Sequence, residues 1–143
     1  MWQLTVSHDG TRVAIAFGEN TLVSQIRIYY IEIYDLMDGN LLARLPVNGI
    51  EGIAVSPDGQ FIAVGQREVL DSATDNIQPT VHVFEIATGR KLATMIHDNL
   101  RLGRGEYSYA AFGPDGIRFT ADGRYLLTST IHTKIWSLNR ISR

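Results

Sequence analysis

The sequence predicts an all-β protein made of repeated hairpins, and three observations carry that prediction. One seven-residue phrase occurs three times, as Leu4-Thr-Val-Ser-His-Asp-Gly10, Ile53-Ala-Val-Ser-Pro-Asp-Gly59 and Ile117-Arg-Phe-Thr-Ala-Asp-Gly123. A second apolar run follows each copy: Val13-Ala-Ile-Ala16, Ile62-Ala-Val-Gly65 and Leu126-Leu-Thr-Ser129. A third phrase also recurs, as Glu32-Ile-Tyr-Asp-Leu36, His82-Val-Phe-Glu-Ile86 and Lys134-Ile-Trp-Ser-Leu138. Self-similarity at a fixed period means that the fold itself repeats. No segment keeps a helical 3.6-residue pattern for longer than a turn.

Each element follows from its residues. The first phrase alternates apolar and polar side chains, as a half-buried strand requires, because successive side chains point to opposite faces. Its closing Asp-Gly predicts a two-residue hairpin turn, whose positive φ angles those residues tolerate. The apolar run behind the turn is the returning strand. The third phrase reads polar, aliphatic, aromatic, polar, aliphatic in every copy. It is a third strand, with Tyr34, Phe84 and Trp136 expected at equivalent buried positions. A fourth strand follows in two copies: Asp38-Gly39 leads into Leu41-Leu-Ala-Arg-Leu45, and Thr88-Gly89 into Lys91-Leu-Ala-Thr-Met95. The third copy reads as three strands.

Spacing locates the insertions. From turn glycine to aromatic anchor the chain runs 24 residues in the first copy, 25 in the second and 13 in the third. The surplus falls in Gly18–Gln25 and Gln66–Thr80, which read as loops. A further surplus falls in His97–Asp115. The units are therefore 1–46, 50–96 and 116–143, with an insertion at 97–115.

At 143 residues the chain is one domain, long enough for a real core. Its net charge of −2 argues against a nucleic-acid binder, which needs a basic surface to neutralise phosphates. The absence of cysteine excludes disulfides, thiolate zinc sites and cysteine nucleophiles. The N-terminus lacks the basic stretch and apolar run of a signal peptide. No apolar run approaches the ~20 residues of a membrane helix. These features predict a cytoplasmic protein that engages neither membrane nor nucleic acid.

Four-stranded antiparallel units of this length, stacked side by side, are the blades of a β-propeller. The run Ile53-Ala-Val-Ser-Pro-Asp-Gly-Gln-Phe-Ile-Ala-Val-Gly65 resembles the first-strand, turn and second-strand phrase of WD-repeats. Thr133-Lys-Ile-Trp-Ser-Leu138 resembles their third-strand phrase ending in Trp-Asp. The resemblance covers nearly the whole chain outside His97–Asp115 and the last few residues. There are departures. No Gly-His pair precedes a first strand, and the Trp-Asp pair reads Tyr34-Asp35, Phe84-Glu85 and Trp136-Ser137. Thr130-Ile-His132 stands where the family places an Asp. These departures predict that the family's buried His–Ser–Trp–Asp hydrogen-bond set does not form. Lactonase-like and surface-layer propellers share Ser-Pro-Asp-Gly turns and remain open.

Three blades do not close a ring. Leaving a face of ~400 Å² bare at roughly 25 cal/mol per Å² costs about 10 kcal/mol, the scale of a domain's whole stability. Either further blades complete the ring or copies associate, two chains making six blades.

Chemistry is sparse. His8, His82, His97 and His132 show no metal-ligand spacing. His8 reads as a turn residue and His82 as a solvated strand face, while His97-Asp98 is a weak proton-transfer candidate. The run at 71–76 has calcium-like oxygens but lacks the Gly and terminal Glu of a calcium loop. Metal and cofactor sites are not expected. First-strand ends read Gln3, Gly52 and Gly116, which neither coordinate metals nor transfer protons. The insertion concentrates Arg101, Arg104, Tyr107 and Tyr109, residue types enriched in interface hot spots, and these are the candidate partner-binding residues. The competing reading makes Tyr107-Ser-Tyr-Ala-Ala-Phe112 a plain strand. The expected function is a non-catalytic scaffold for a protein partner, and the alternative is a fragment or half-ring of a lactonase- or hydrolase-like propeller enzyme.

Overall fold

The computed structural model describes residues 3–20, 27–71, 76–98, 100–101, 116–130 and 132–139. Among them every regular element is a strand, and the strands form three antiparallel sheets. The first sheet runs β1 (Gln3–Val6), β2 (Arg12–Asn20), β3 (Arg27–Asp35) and β4 (Leu41–Val47) in sequence order. The second runs β5 (Gly52–Val55), β6 (Phe61–Asp71), β7 (Asn76–Glu85) and β8 (Lys91–Ile96), with β9 (Leu100–Arg101) also on β7. The third runs β10 (Ile117–Phe119), β11 (Tyr125–Ser129) and β12 (Thr133–Ser137).

Register proves the repeat. Tyr34 pairs with Val13, Phe84 with Ile62 and Trp136 with Leu126, each partner lying three residues past its turn glycine. The three anchors are thus equivalent, although each is half-buried rather than buried. The two predicted loops are corrected. Gly18–Asn20 of the first belong to β2, with 21–25 outside the described residues. In the second, 66–71 and 76–80 belong to β6 and β7, which stay paired out to Asp71–Asn76.

The turns also differ from the two-residue form. Ser7 N–H donates to Arg12 C=O (2.9 Å) and Gly10 N–H to Ser7 C=O (2.9 Å), so four residues lie between Ser7 and Arg12. Only the glycine has positive φ, 73° at Gly10, 72° at Gly59 and 71° at Gly123. A type I turn followed by a left-handed glycine makes this longer connection. The repeated Ser or Thr now has a reason. Its hydroxyl donates to Asp Oδ1 two residues on, at 2.7 Å from Ser7, 2.6 Å from Ser56 and 2.6 Å from Thr120. The same oxygen accepts the N–H five residues on, from Arg12, Phe61 and Tyr125. These hydroxyl bonds, then backbone N–H bonds, hold the Asp9 and Asp122 carboxyls below their ordinary range.

Each sheet has a front face, carrying Leu4 and its repeat equivalents, and a back face. The back of the first sheet (Ala14, Ala16, Ile31, Ile33, Leu45) packs on the front of the second (Ile53, Val55, Ile62, Val64, Ile86). The back of the second (Ala54, Ala63, Val81, Val83, Met95) packs on the front of the third (Ile117, Leu126, Leu138, with Phe119 and Trp136). Alanines on the back strands make room for the larger residues of the next front, which lets the two surfaces fill one another.

Turn glycines tie the sheets together. A Cβ on Gly59 would sit 2.7 Å from Arg12 Cγ, whereas Gly10 has nothing within 4 Å of that position. Gly10→Ala is therefore expected to cost about 1 kcal/mol, from positive φ alone. Gly59→Ala should cost about 2–3 kcal/mol, because the base of the Arg12 side chain must also move. Urea denaturation midpoints of the two variants measure the difference, and equal losses would show that the Arg12 stem yields freely.

Candidate interaction surfaces

Repeat equivalence compares the same position with and without a neighbouring sheet. On the front faces Leu4 corresponds to Ile53 and Ile117, and Leu36 to Ile86 and Leu138. Leu4 and Leu36 are 53% and 47% exposed, while their four equivalents are 8% or less. Val6 is 48% exposed against 7% for Val55. On the back faces Ile135 corresponds to Ile33 and Val83, and is 67% exposed against 0% and 1%. At Leu4, Val6, Leu36 and Ile135 the apolar type is kept and the cover is missing. Thr133, on the same back face as Ile135, replaces the apolar Ile31 and Val81. Among the described residues, the first sheet's front around Leu4, Val6 and Leu36 and the third sheet's back around Ile135 are therefore apolar surfaces that lie open. Val13 and Tyr30 on the same front are buried.

The open front carries more than aliphatic groups. Phe17 and Tyr30 stack with centroids 5.1 Å apart, and the Arg44 guanidinium lies 4.0 Å above the Tyr30 ring. The Tyr34 hydroxyl donates to Glu32, and that bond raises its pKa. Rigid Tyr and Arg groups around an apolar patch are typical of interface hot spots. The sequence analysis put the binding residues elsewhere, in the insertion.

Of those residues, Arg101 has its backbone in β9, paired with Asn76. Arg104, Tyr107 and Tyr109 lie outside the described residues. The insertion begins at His97, which is buried on the back of the second sheet. Trp136 Nε1–H donates to Thr128 Oγ1 (2.8 Å), and the same oxygen bonds His97 Nε2. The His97 ring also meets the Trp136 ring edge-on at 6.0 Å. An indole only donates, so Thr128 Oγ1 accepts from Trp136 and shares a second hydrogen bond with His97 Nε2. A histidine, a hydroxyl and an indole are thus joined at this junction, without the Asp of the expected four-residue set. At the other junction the equivalent positions are Val47, Val64 and Phe84, all in one apolar cluster. The polar residues have been exchanged as a set. Asp98, next to His97, turns outward to Lys134 (3.5 Å), so the two do not form a proton-transfer pair.

The first strands enclose an open cavity of about 400 Å³. The variable turn residues His8, Pro57 and Ala121 all line it, with Gln3 and Arg118. His8 is thus placed at a cavity, which its turn position gave no sign of. His82 bonds Thr94 Oγ1 at 3.0 Å on the front of the second sheet. Among the described residues no three His, Asp or Glu side chains converge as metal ligands. Nor does any helix long and apolar enough to cross a membrane occur there.

No protein-family model matches the chain, and no curated protein matches it. Solved structures do. A eukaryotic initiation factor aligns over 95% of this chain and 29% of its own, with TM-score 0.61 and 17% identity. An oligogalacturonate lyase in complex with manganese aligns over 92% of this chain and 32% of its own, with TM-score 0.50 and 16% identity. Both are propeller-type folds, and the stacking of sheets here is propeller-like. The chain spans about a third of the length of each of these two.

The buried histidine makes stability depend on pH. Desolvation, then the charge of Lys134, lowers the His97 pKa, and desolvation, then Lys91, lowers that of His82. Above about pH 6.5 both are neutral folded or unfolded. As pH falls below that value the unfolded chain takes protons that the folded chain resists, so stability is lost. Urea melts at pH 7.5 and 5.5 should show the drop. Thr128→Val alone should cost about 1–3 kcal/mol, since it takes the shared oxygen from the Trp136 and His97 nitrogens. The triple variant His97→Val, Thr128→Val, Trp136→Phe should cost less than that and flatten the pH dependence. A triple variant as pH-sensitive as the parent would refute the role given to His97.

Proposed function

We propose that the three sheets are consecutive blades of a WD-repeat-like propeller that acts as a non-catalytic protein-interaction scaffold. The observation that carries this reading is the pair of open faces, whose residues are buried wherever a neighbouring sheet covers them. The His97–Thr128–Trp136 set supports the WD-repeat likeness, because it joins the residue types that family uses at one blade junction. The insertion supports a second contact region, with Arg101, Arg104, Tyr107 and Tyr109 as its recognition residues. An acidic surface on a protein partner suits its two arginines, in a chain that is otherwise net negative.

A second reading makes the chain part of a propeller enzyme. The cavity between the first strands favours it, with His8 at hand as a proton carrier. Two assays separate these readings. The purified chain should turn over no substrate in a panel of lactones and activated esters. The quadruple Ala variant of the insertion residues should stay folded by circular dichroism yet lose capture of an acidic protein partner. Turnover abolished by His8→Ala would move the assignment to the enzyme.

A further inference from the structure

The two open faces are at opposite ends of the stack, and they are halves of one junction. At each internal junction the front of one sheet meets the back of the sheet before it. The exposed Leu4, Val6 and Leu36 occupy the front half of that contact, and the exposed Ile135, cross-strand from Leu127, occupies the back half. We propose that a second copy of this chain covers them, the first sheet's front of each copy seating on the third sheet's back of the other. This deepens the scaffold reading by naming one protein partner, and it rests on that reading.

The turns supply a further, separate fit. Arg12 on the back of the first sheet packs over Gly59 of the second, and Phe61 on the back of the second lines one pocket with Gly123 of the third. Tyr125 is the next member of that series, since Arg12, Phe61 and Tyr125 each lie two residues past their turn glycine. Gly10, the turn it would cover, has open space around it. A front-to-back contact is heterologous, so it must either close or polymerise. Two copies give six blades, within the four to eight that propellers close with, whereas three copies give nine. A two-fold dimer follows.

Sedimentation of the purified chain at micromolar concentration tests this. Twice the 15.9 kDa chain mass is expected. A front variant (Leu4→Lys with Leu36→Lys) and a back variant (Ile135→Lys) should each sediment as folded monomers. Both substitute exposed residues, so folding is spared. Mixed in equal amounts they should recover a heterodimer, because the intact back of one meets the intact front of the other. A monomeric parent chain overturns the proposal and assigns the faces to other sheets. A back variant that still dimerises overturns it as well, as does a mixture of folded variants that stays monomeric. None of these results bears on the turnover assay, so an inactive monomer removes self-association and leaves the scaffold reading in place.

Discussion

The stacking of this chain follows from the fact that its middle sheet is apolar on both sides. A sheet with one polar face can stand against a single neighbour, but one with two apolar faces must be sandwiched. The middle sheet meets that demand completely: Ile62, Ala63 and Val64 are successive residues on alternating faces, and none is exposed. From this constraint come the alanines Ala14, Ala16, Ala54 and Ala63 of the back faces, the larger residues that meet them and the tight approach at Gly59. It also leads to the open patches at either end, where Leu4, Val6, Leu36 and Ile135 carry the apolar pattern on after the cover has stopped.

What the sequence revealed, and what it concealed, follows from where burial acts. The Ser-x-Asp-Gly phrase was readable because each of its residues acts locally. The hydroxyl bridges the turn, the carboxylate caps it and the glycine takes positive φ. The equivalence of Tyr34, Phe84 and Trp136 was readable because register transmits it from the turn. The outer halves of β2–β3 and β6–β7 were read as loops. Their residues, such as Glu19-Asn20 and Asp71, carry no apolar alternation, although backbone pairing continues there. The strand β9 is two residues long and is defined by its partner, so no local pattern announces it.

The surfaces were read only in part. The sequence showed that a terminal face would be left bare, but not that Leu4, Val6 and Leu36 would be the exposed residues on it. His97 was the hardest case. It precedes the first strand of the third sheet by 20 residues and was judged against its neighbour Asp98, whereas Thr128 and Trp136 are the residues it meets. The clue lay in comparing repeats at three positions at once, where Val47, Val64 and Phe84 are replaced together. A single polar substitution there would strand a buried donor or acceptor. The joint exchange gives the indole N–H, the hydroxyl and His97 Nε2 one another as partners.

One residue of each turn is left out of its hydrogen bonds. In the phrase Ser-x-Asp-Gly the side chain at x makes no bond on which the turn depends, yet His8, Pro57 and Ala121 all line the same cavity. Chemical diversity can therefore accumulate around that cavity while the turn stays intact. For an engineer this means that a combinatorial library at three codons would repaint the cavity wall without disturbing the backbone bonds of the turns that frame it.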